Sequence, residues 1–106
     1  MNAMLTTQAV DDLRESAAQA CSLLKAMANE DRLLLMCQLV HAERNVSELE
    51  ELTEIRQPTL SQQLGVLRDE GLVSTRRAGK FIYYTLSSPE VVGVMQTLHS
   101  LYCDPA

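Results

Sequence analysis

Tryptophan is missing from the 106-residue chain, phenylalanine occurs once and tyrosine three times. So few aromatics argue against a β-sandwich, whose pleated faces draw on aromatic and β-branched residues, and favour packed helices with an aliphatic core. No run of eighteen apolar residues occurs, which excludes a transmembrane helix. The start of the chain has neither a basic leader nor a long apolar stretch, so no secretory signal and a cytoplasmic location are expected. Cysteine is scarce and odd in number: Cys21, Cys37 and Cys103, without CxxC spacing. That argues against a disulfide framework, a zinc ribbon and a CxxC thiol oxidoreductase. Gly-rich phosphate loops and a nucleophile–base–acid set are lacking too, so neither an enzyme nor a cofactor is expected.

What is present is a chain of ordinary globular composition, 46% apolar and 22% charged, read as one domain over residues 1–106. Its net charge of −5 is unevenly spread. Residues 1–54 balance to −6 and residues 87–106 to −2, whereas residues 55–86 carry Arg56, Arg68, Arg76, Arg77 and Lys80 and balance to +3. A basic segment on an acidic body is the footprint of phosphate contact.

Hydrophobic spacing divides the chain. Val10, Leu13, Ala17, Ala20, Leu24 and Met27 mark a first helix over Gln8–Ala28, and Leu33–Val40 reads as a central helix apolar nearly all round. Ser47 followed by Glu50 predicts a capping box for a short helix through Thr53, with Leu49 and Leu52 inward. Pro58 opens the next helix, Pro58–Glu70, which presents Leu60, Leu64 and Leu67 on one side and stops at Gly71. Leu72–Arg76 and Phe81–Leu86 read as strands joined by a turn over Arg77–Lys80. A last helix runs from about Glu90 to Tyr102. Met27, Met36 and Met95 read as core filler, and His41 as a helix-end residue meeting carbonyls or solvent. The expected fold is mainly α with a β-hairpin wing, in the order α-α-α-α-β-β-α.

Two short helices on a tight connection, followed by a basic hairpin, have the layout of a winged helix-turn-helix. The helix opened by Pro58 offers Gln57, Thr59, Ser61, Gln62 and Gln63 opposite its leucines, uncharged donors and acceptors suited to base edges. Arg76, Arg77 and Lys80 would charge the tip of the wing and grip phosphates. One such module reads too little sequence alone, so a homodimer on a two-fold symmetric duplex is expected. The last helix supports this: Val91, Val92, Val94, Met95, Leu98, Leu101 and Tyr102 cover more than one face. Ten basic groups per dimer set an upper limit of about −9 on the salt slope of DNA binding.

The segments LLKAMANEDRLLLMCQLV and VSELEELTEIRQPTLSQQLGVLRDEGLVSTRRAGKFIYYTL resemble the ArsR/SmtB family of bacterial repressors over roughly residues 16–103. The resemblance implies dimerisation through first and last helices, PTLSQQL in the recognition helix, and an inducer that weakens DNA binding. Metal-sensing relatives would need ligands this chain lacks. ELEEL has no cysteine, and His99 with Cys103, supplemented weakly by Glu90 and Asp104, makes an incomplete tetrahedron. No metal is expected, with a metal-responsive repressor as the alternative. Cys37 in LLLMCQLV and Cys103 in HSLYC instead resemble the dithiol (BigR/YgaV/HlyU-like) branch. That likeness implies a regulator whose two thiols are linked by reactive sulfur species or oxidants. Cys21 reads as a small buried apolar residue. An anti-silencing activator and a winged helix used only for protein contacts are the further alternatives.

Overall fold

Asn29 is where the first apolar repeat breaks, and its side chain explains why a helix restarts there. In the computed structural model, which describes residues 7–103, Asn29 has extended backbone and its Oδ1 accepts the Arg32 N–H at 3.0 Å. This cap separates α1 (Thr7–Met27) from α2 (Glu30–His41). Helix α2 supplies the centre of the core with Leu35, Met36 and Leu39. Its apolar surface is not buried all round, however: Leu34 is 47% exposed.

After α2 the chain forms β1 (Arg44–Asn45), a strand the sequence did not predict, and then α3 (Val46–Thr53). The capping box exists, but two residues earlier than Ser47 and Glu50. Asn45 Oδ1 accepts the Glu48 N–H at 2.9 Å, and Glu48 Oε1 accepts the Asn45 N–H at 2.8 Å. Asn45 wins because β1 pairs it with Tyr83, which holds it extended and buried at the helix entrance. With that start the eight-residue helix buries only one row. Leu49 is wholly enclosed, but Leu52 is 45% exposed rather than inward. Glu54 ends α3 with a left-handed φ of 61°, and Ile55 drops back into the core.

Helix α4 (Thr59–Asp69) follows Pro58 and buries Leu60, Leu64 and Leu67, as the spacing predicts. Each such side chain contributes roughly 1.5–3 kcal/mol by leaving water. Gly71, at φ 74°, turns the chain out of the helix. The Leu72 N–H reaches the Leu67 carbonyl at 2.9 Å and the Gly71 N–H the Arg68 carbonyl at 3.0 Å, the paired bonds of a Schellman ending.

Strands β2 (Val73–Ala78) and β3 (Phe81–Leu86) form the wing, with Ala78 opposite Phe81. The turn is therefore only Gly79 and Lys80, tighter than the expected Arg77–Lys80, and Gly79 at φ 63° makes it possible. Pairing of β1 with β3 gives a three-stranded antiparallel sheet in the order β1-β3-β2. Helix α5 (Pro89–Tyr102) begins where Ser88 caps the Val91 N–H, and it closes the core with Val91 and Met95. Met27, Met36 and Met95 are all buried.

Helix α1 stands apart. It buries only Ala26 and Met27, while Val10, Leu13 and Leu24 are 39%, 60% and 56% exposed. A radius of gyration of 16.8 Å records the projection, against about 13 Å for a compact chain of this length. Among the described residues no helix is long and apolar enough to cross a membrane.

Candidate nucleic-acid interface and dithiol site

The Leu60–Leu64–Leu67 side of α4 faces the core, so its opposite side carries the polar residues outward. Ser61 and Gln62 are exposed there, and Thr59 and Gln63 are half-buried. Gln57 is exposed but occupied. Its Oε1 accepts the Ser61 N–H at 3.1 Å, covering a helix N-terminal amide that Pro58 leaves without a side-chain cap.

Gln63 is engaged as well. Its Oε1 accepts Arg32 Nη1 at 2.9 Å. The same guanidinium donates from Nε to the Ala26 carbonyl at 2.6 Å and from Nη2 to the Lys25 carbonyl at 3.4 Å. One side chain of α2 thus ties the last turn of α1 to α4. Nothing in the sequence announced Arg32, because its partner lies 31 positions away.

On the wing, Arg77 and Lys80 are exposed at the tip. Arg77 Nε reaches the Gly79 carbonyl at 3.3 Å, and Lys80 Nζ stands 5.7 Å from the centre of the Phe81 ring. Arg76 is not a tip residue. It pairs across the hairpin with Tyr83, lies 4.9 Å over that ring, and forms a two-pronged bond to Glu43, with both contacts at 2.6 Å. The hydrogen bonds from Arg76 hold the Glu43 carboxyl below its usual range, and the same bonds raise Arg76. Glu43 was the second residue the sequence concealed, 33 positions from its partner.

The two sequence-matched thiols converge. Cys37, half-buried on α2, and Cys103, exposed at the end of α5, line one cavity of about 330 Å³ whose other walls include Leu33, Leu34, Leu98 and Tyr102. Cys21 is not in its lining and is exposed on α1 instead of serving as buried filler, because α1 leaves most of its length uncovered. Two histidines flank the thiols. His41 lies one turn beyond Cys37 and His99 one turn before Cys103, with ring centres 5.9 Å apart, edge to face. His41 thus meets another ring as well as solvent. Among the described residues no three His, Cys, Asp or Glu side chains gather into a metal-holding group. Asp104 lies outside the described residues. A second, wider groove of about 880 Å³ runs between α1 and α5, past Ala20, Leu23, Gly93, Val94 and Leu98.

Residues 29–75, from the cap of α2 into β2, match the profile of the bacterial regulatory protein, arsR family. The transcriptional activator HlyU of Vibrio cholerae is 46% identical over 94 residues, spanning 89% of this chain and 87% of that protein. The chain belongs to the ArsR family. The biofilm growth-associated repressor of Agrobacterium fabrum is 44% identical over 93 residues, covering 88% of this chain and 80% of the repressor. Reduced HlyU from Vibrio cholerae superposes with a TM-score of 0.84 at 46% identity, covering 88% of this chain and 98% of that one. The repressor BigR from Xylella fastidiosa does so at 0.82 and 42%, covering 90% and 97%. This ArsR-family chain is therefore a DNA-binding transcriptional regulator with a winged-helix fold, in a family that is not enzymatic.

Proposed function

We propose that this regulator acts as a homodimeric repressor that binds a two-fold symmetric duplex and loses affinity when Cys37 and Cys103 are linked by reactive sulfur species or an oxidant. Thr59, Ser61, Gln62 and Gln63 would face the major groove, and Arg77 and Lys80 the backbone, with Arg56 exposed beside them. Gln57, spent as a cap, and Arg76, held by Glu43, have lesser parts than their positions suggested. The second copy would cover the apolar stripe that α1 leaves exposed and the groove between α1 and α5.

The observation that carries the sensing role is the shared cavity, which opens one thiol on α2 and one on α5 to the same reagent. With a persulfide, a Cys37 or Cys103 thiolate takes the sulfane sulfur and displaces RS⁻. The second thiolate then attacks the cysteine sulfur of that perthiol and releases HS⁻, leaving a disulfide. With peroxide, the first thiol becomes a sulfenic acid as one oxygen leaves as water. The second thiol then displaces the other oxygen as water. Either way two thiols lose two electrons. Closing a loop of about 65 residues raises stability against unfolding by roughly 4 kcal/mol in the chain-entropy picture. The loss of DNA affinity is set instead by how differently the link fits the bound and released conformations, typically about 1–3 kcal/mol in allosteric coupling. Helix α2 carries both Cys37 and Arg32, so a movement of α2 reaches α4 directly.

Peptide mapping by mass spectrometry after polysulfide or peroxide treatment tests this. A Cys37–Cys103 link, absent from Cys37→Ser and Cys103→Ser proteins that also keep DNA bound, is expected. Linkage through Cys21, or release in either serine variant, overturns it. Relatives of similar identity are named activator and repressor. Transcription from a bound promoter in a purified system decides the sign here: a rise on thiol linkage fits repression, a fall fits activation.

A further inference from the structure

We propose that Arg32 is a specificity-positioning residue that fixes Gln63 as a hydrogen-bond donor toward DNA, restricting the base accepted at that place. The proposal rests on the reading that α4 enters the major groove.

A guanidinium has N–H donors and no acceptor, so the group that Arg32 Nη1 meets at 2.9 Å is the amide oxygen of Gln63 and not its nitrogen. The orientation of that amide is therefore set by chemistry. The guanidinium is itself pinned. Nε and Nη2 reach the carbonyls of Ala26 and Lys25 at the end of α1, at 2.6 and 3.4 Å, the Lys25 carbonyl also accepting the Ala28 N–H at 3.3 Å. These bonds keep Arg32 on the body side of Gln63, and the charge on the donor makes the bond to Oε1 a strong one.

The consequence lies in the base code. A glutamine recognises adenine by turning oxygen and nitrogen together onto one base edge, accepting from N6 and donating to N7. With one lone pair of its oxygen taken by Arg32 and that oxygen held toward the guanidinium, Gln63 is left to meet the groove chiefly through its two Nε2 donors, which bond no described residue. Donors alone suit guanine, whose N7 and O6 both accept, and disfavour cytosine, which offers N4–H₂ in the groove. Gln62, exposed and without an Arg32 contact, keeps both of its groups for adenine. Two adjacent glutamines of identical chemistry are thereby given different preferences by one residue of a neighbouring helix.

The test selects duplexes from a random pool with reduced wild-type protein and with Gln63→Ala, Arg32→Met and Gln63→Glu. Gln63→Ala should lose preference at one base pair per half-site, where wild type favours guanine over adenine. Arg32→Met frees the amide and should move that same pair toward adenine by roughly tenfold. Gln63→Glu keeps an acceptor for Arg32 but removes both donors. It should lose the guanine preference and bind the wild-type site roughly tenfold more weakly, with unchanged thermal stability. This variant decides the matter if Arg32→Met does not fold. An Arg32→Met or Gln63→Glu protein that selects the wild-type base overturns the proposal, as does a Gln63→Ala protein with an unaltered site. Enrichment of no duplex by wild type would instead sink the assignment of α4 as reading helix, and this proposal with it.

Discussion

Replacing Glu43 by glutamine should make DNA binding more sensitive to salt, by an amount the structure sets. Each phosphate neutralised contributes about −0.9 to the slope of log K against log salt. If all five basic residues of the 55–86 segment met phosphates in a dimer, the slope would approach about −9. Two of them are poorly placed. The guanidinium of Arg76 is already neutralised by the Glu43 carboxylate, and Arg68 lies in the last turn of α4, away from its reading end. Arg56, Arg77 and Lys80 from each protomer remain, which gives a slope of about −5. Glu43→Gln keeps the shape but removes the charge that holds Arg76, so two more cations per dimer become available and the slope should steepen to about −7. Fluorescence anisotropy titrations of a selected duplex across a salt series measure both values. The pairing lowers the Glu43 carboxyl from its usual 4.5, so its contribution is complete above that pH and fades only as pH falls through the lower folded value. Wild-type slopes at pH 6 and pH 8 should therefore agree as far as Glu43 is concerned. A wild-type slope already at about −7 or steeper would show that Arg76 reaches phosphate in spite of its partner, and a slope that stays at about −5 in Glu43→Gln would show that freeing Arg76 brings it to no phosphate; either result refutes the reasoning.

Leu64→Ala removes a side chain only 2% exposed from the inner side of α4 and should cost about 2–5 kcal/mol in urea titration. Gly71→Ala meets no atom within 4 Å, so its penalty of about 1–2 kcal/mol is purely the left-handed backbone at φ 74°. Gly65→Ala, equally unobstructed but within α4, should instead stabilise by about 0.5–1 kcal/mol, and a loss there would contradict the packing described. Linking Cys37 to Cys103 should raise unfolding stability by up to about 4 kcal/mol, with no gain in Cys37→Ser.

The parts of the fold legible in the sequence were those written in neighbouring residues. Leu60, Leu64 and Leu67 repeat at helical spacing, Gly71 marks the stop, and Gly79 the turn, so α4 and the wing were readable locally. The capping box was recognised as a type but displaced. Asn45 and Ser47 are both capable caps, and the choice is made by pairing of β1 with Tyr83 far along the chain. Strand β1 itself is two residues long and carries no pattern of its own. The stripe on α1 was visible, yet burial did not follow within the chain, because Val10, Leu13 and Leu24 find no cover in one copy. At the candidate site the polar side of α4 was legible. The bonds that modify it, from Arg32 to Gln63 and Arg76 to Glu43, join residues more than thirty apart and exist only once the helices pack.

The most direct measurement is a pair of dissociation constants for one selected duplex, taken with thiols reduced and again after polysulfide treatment, followed by reductant. The account predicts at least a fivefold loss of affinity on treatment, recovery on reduction, and no loss when either Cys37 or Cys103 is serine. Equal affinity of the reduced and treated wild-type proteins, with the two cysteines shown to be joined, would contradict it.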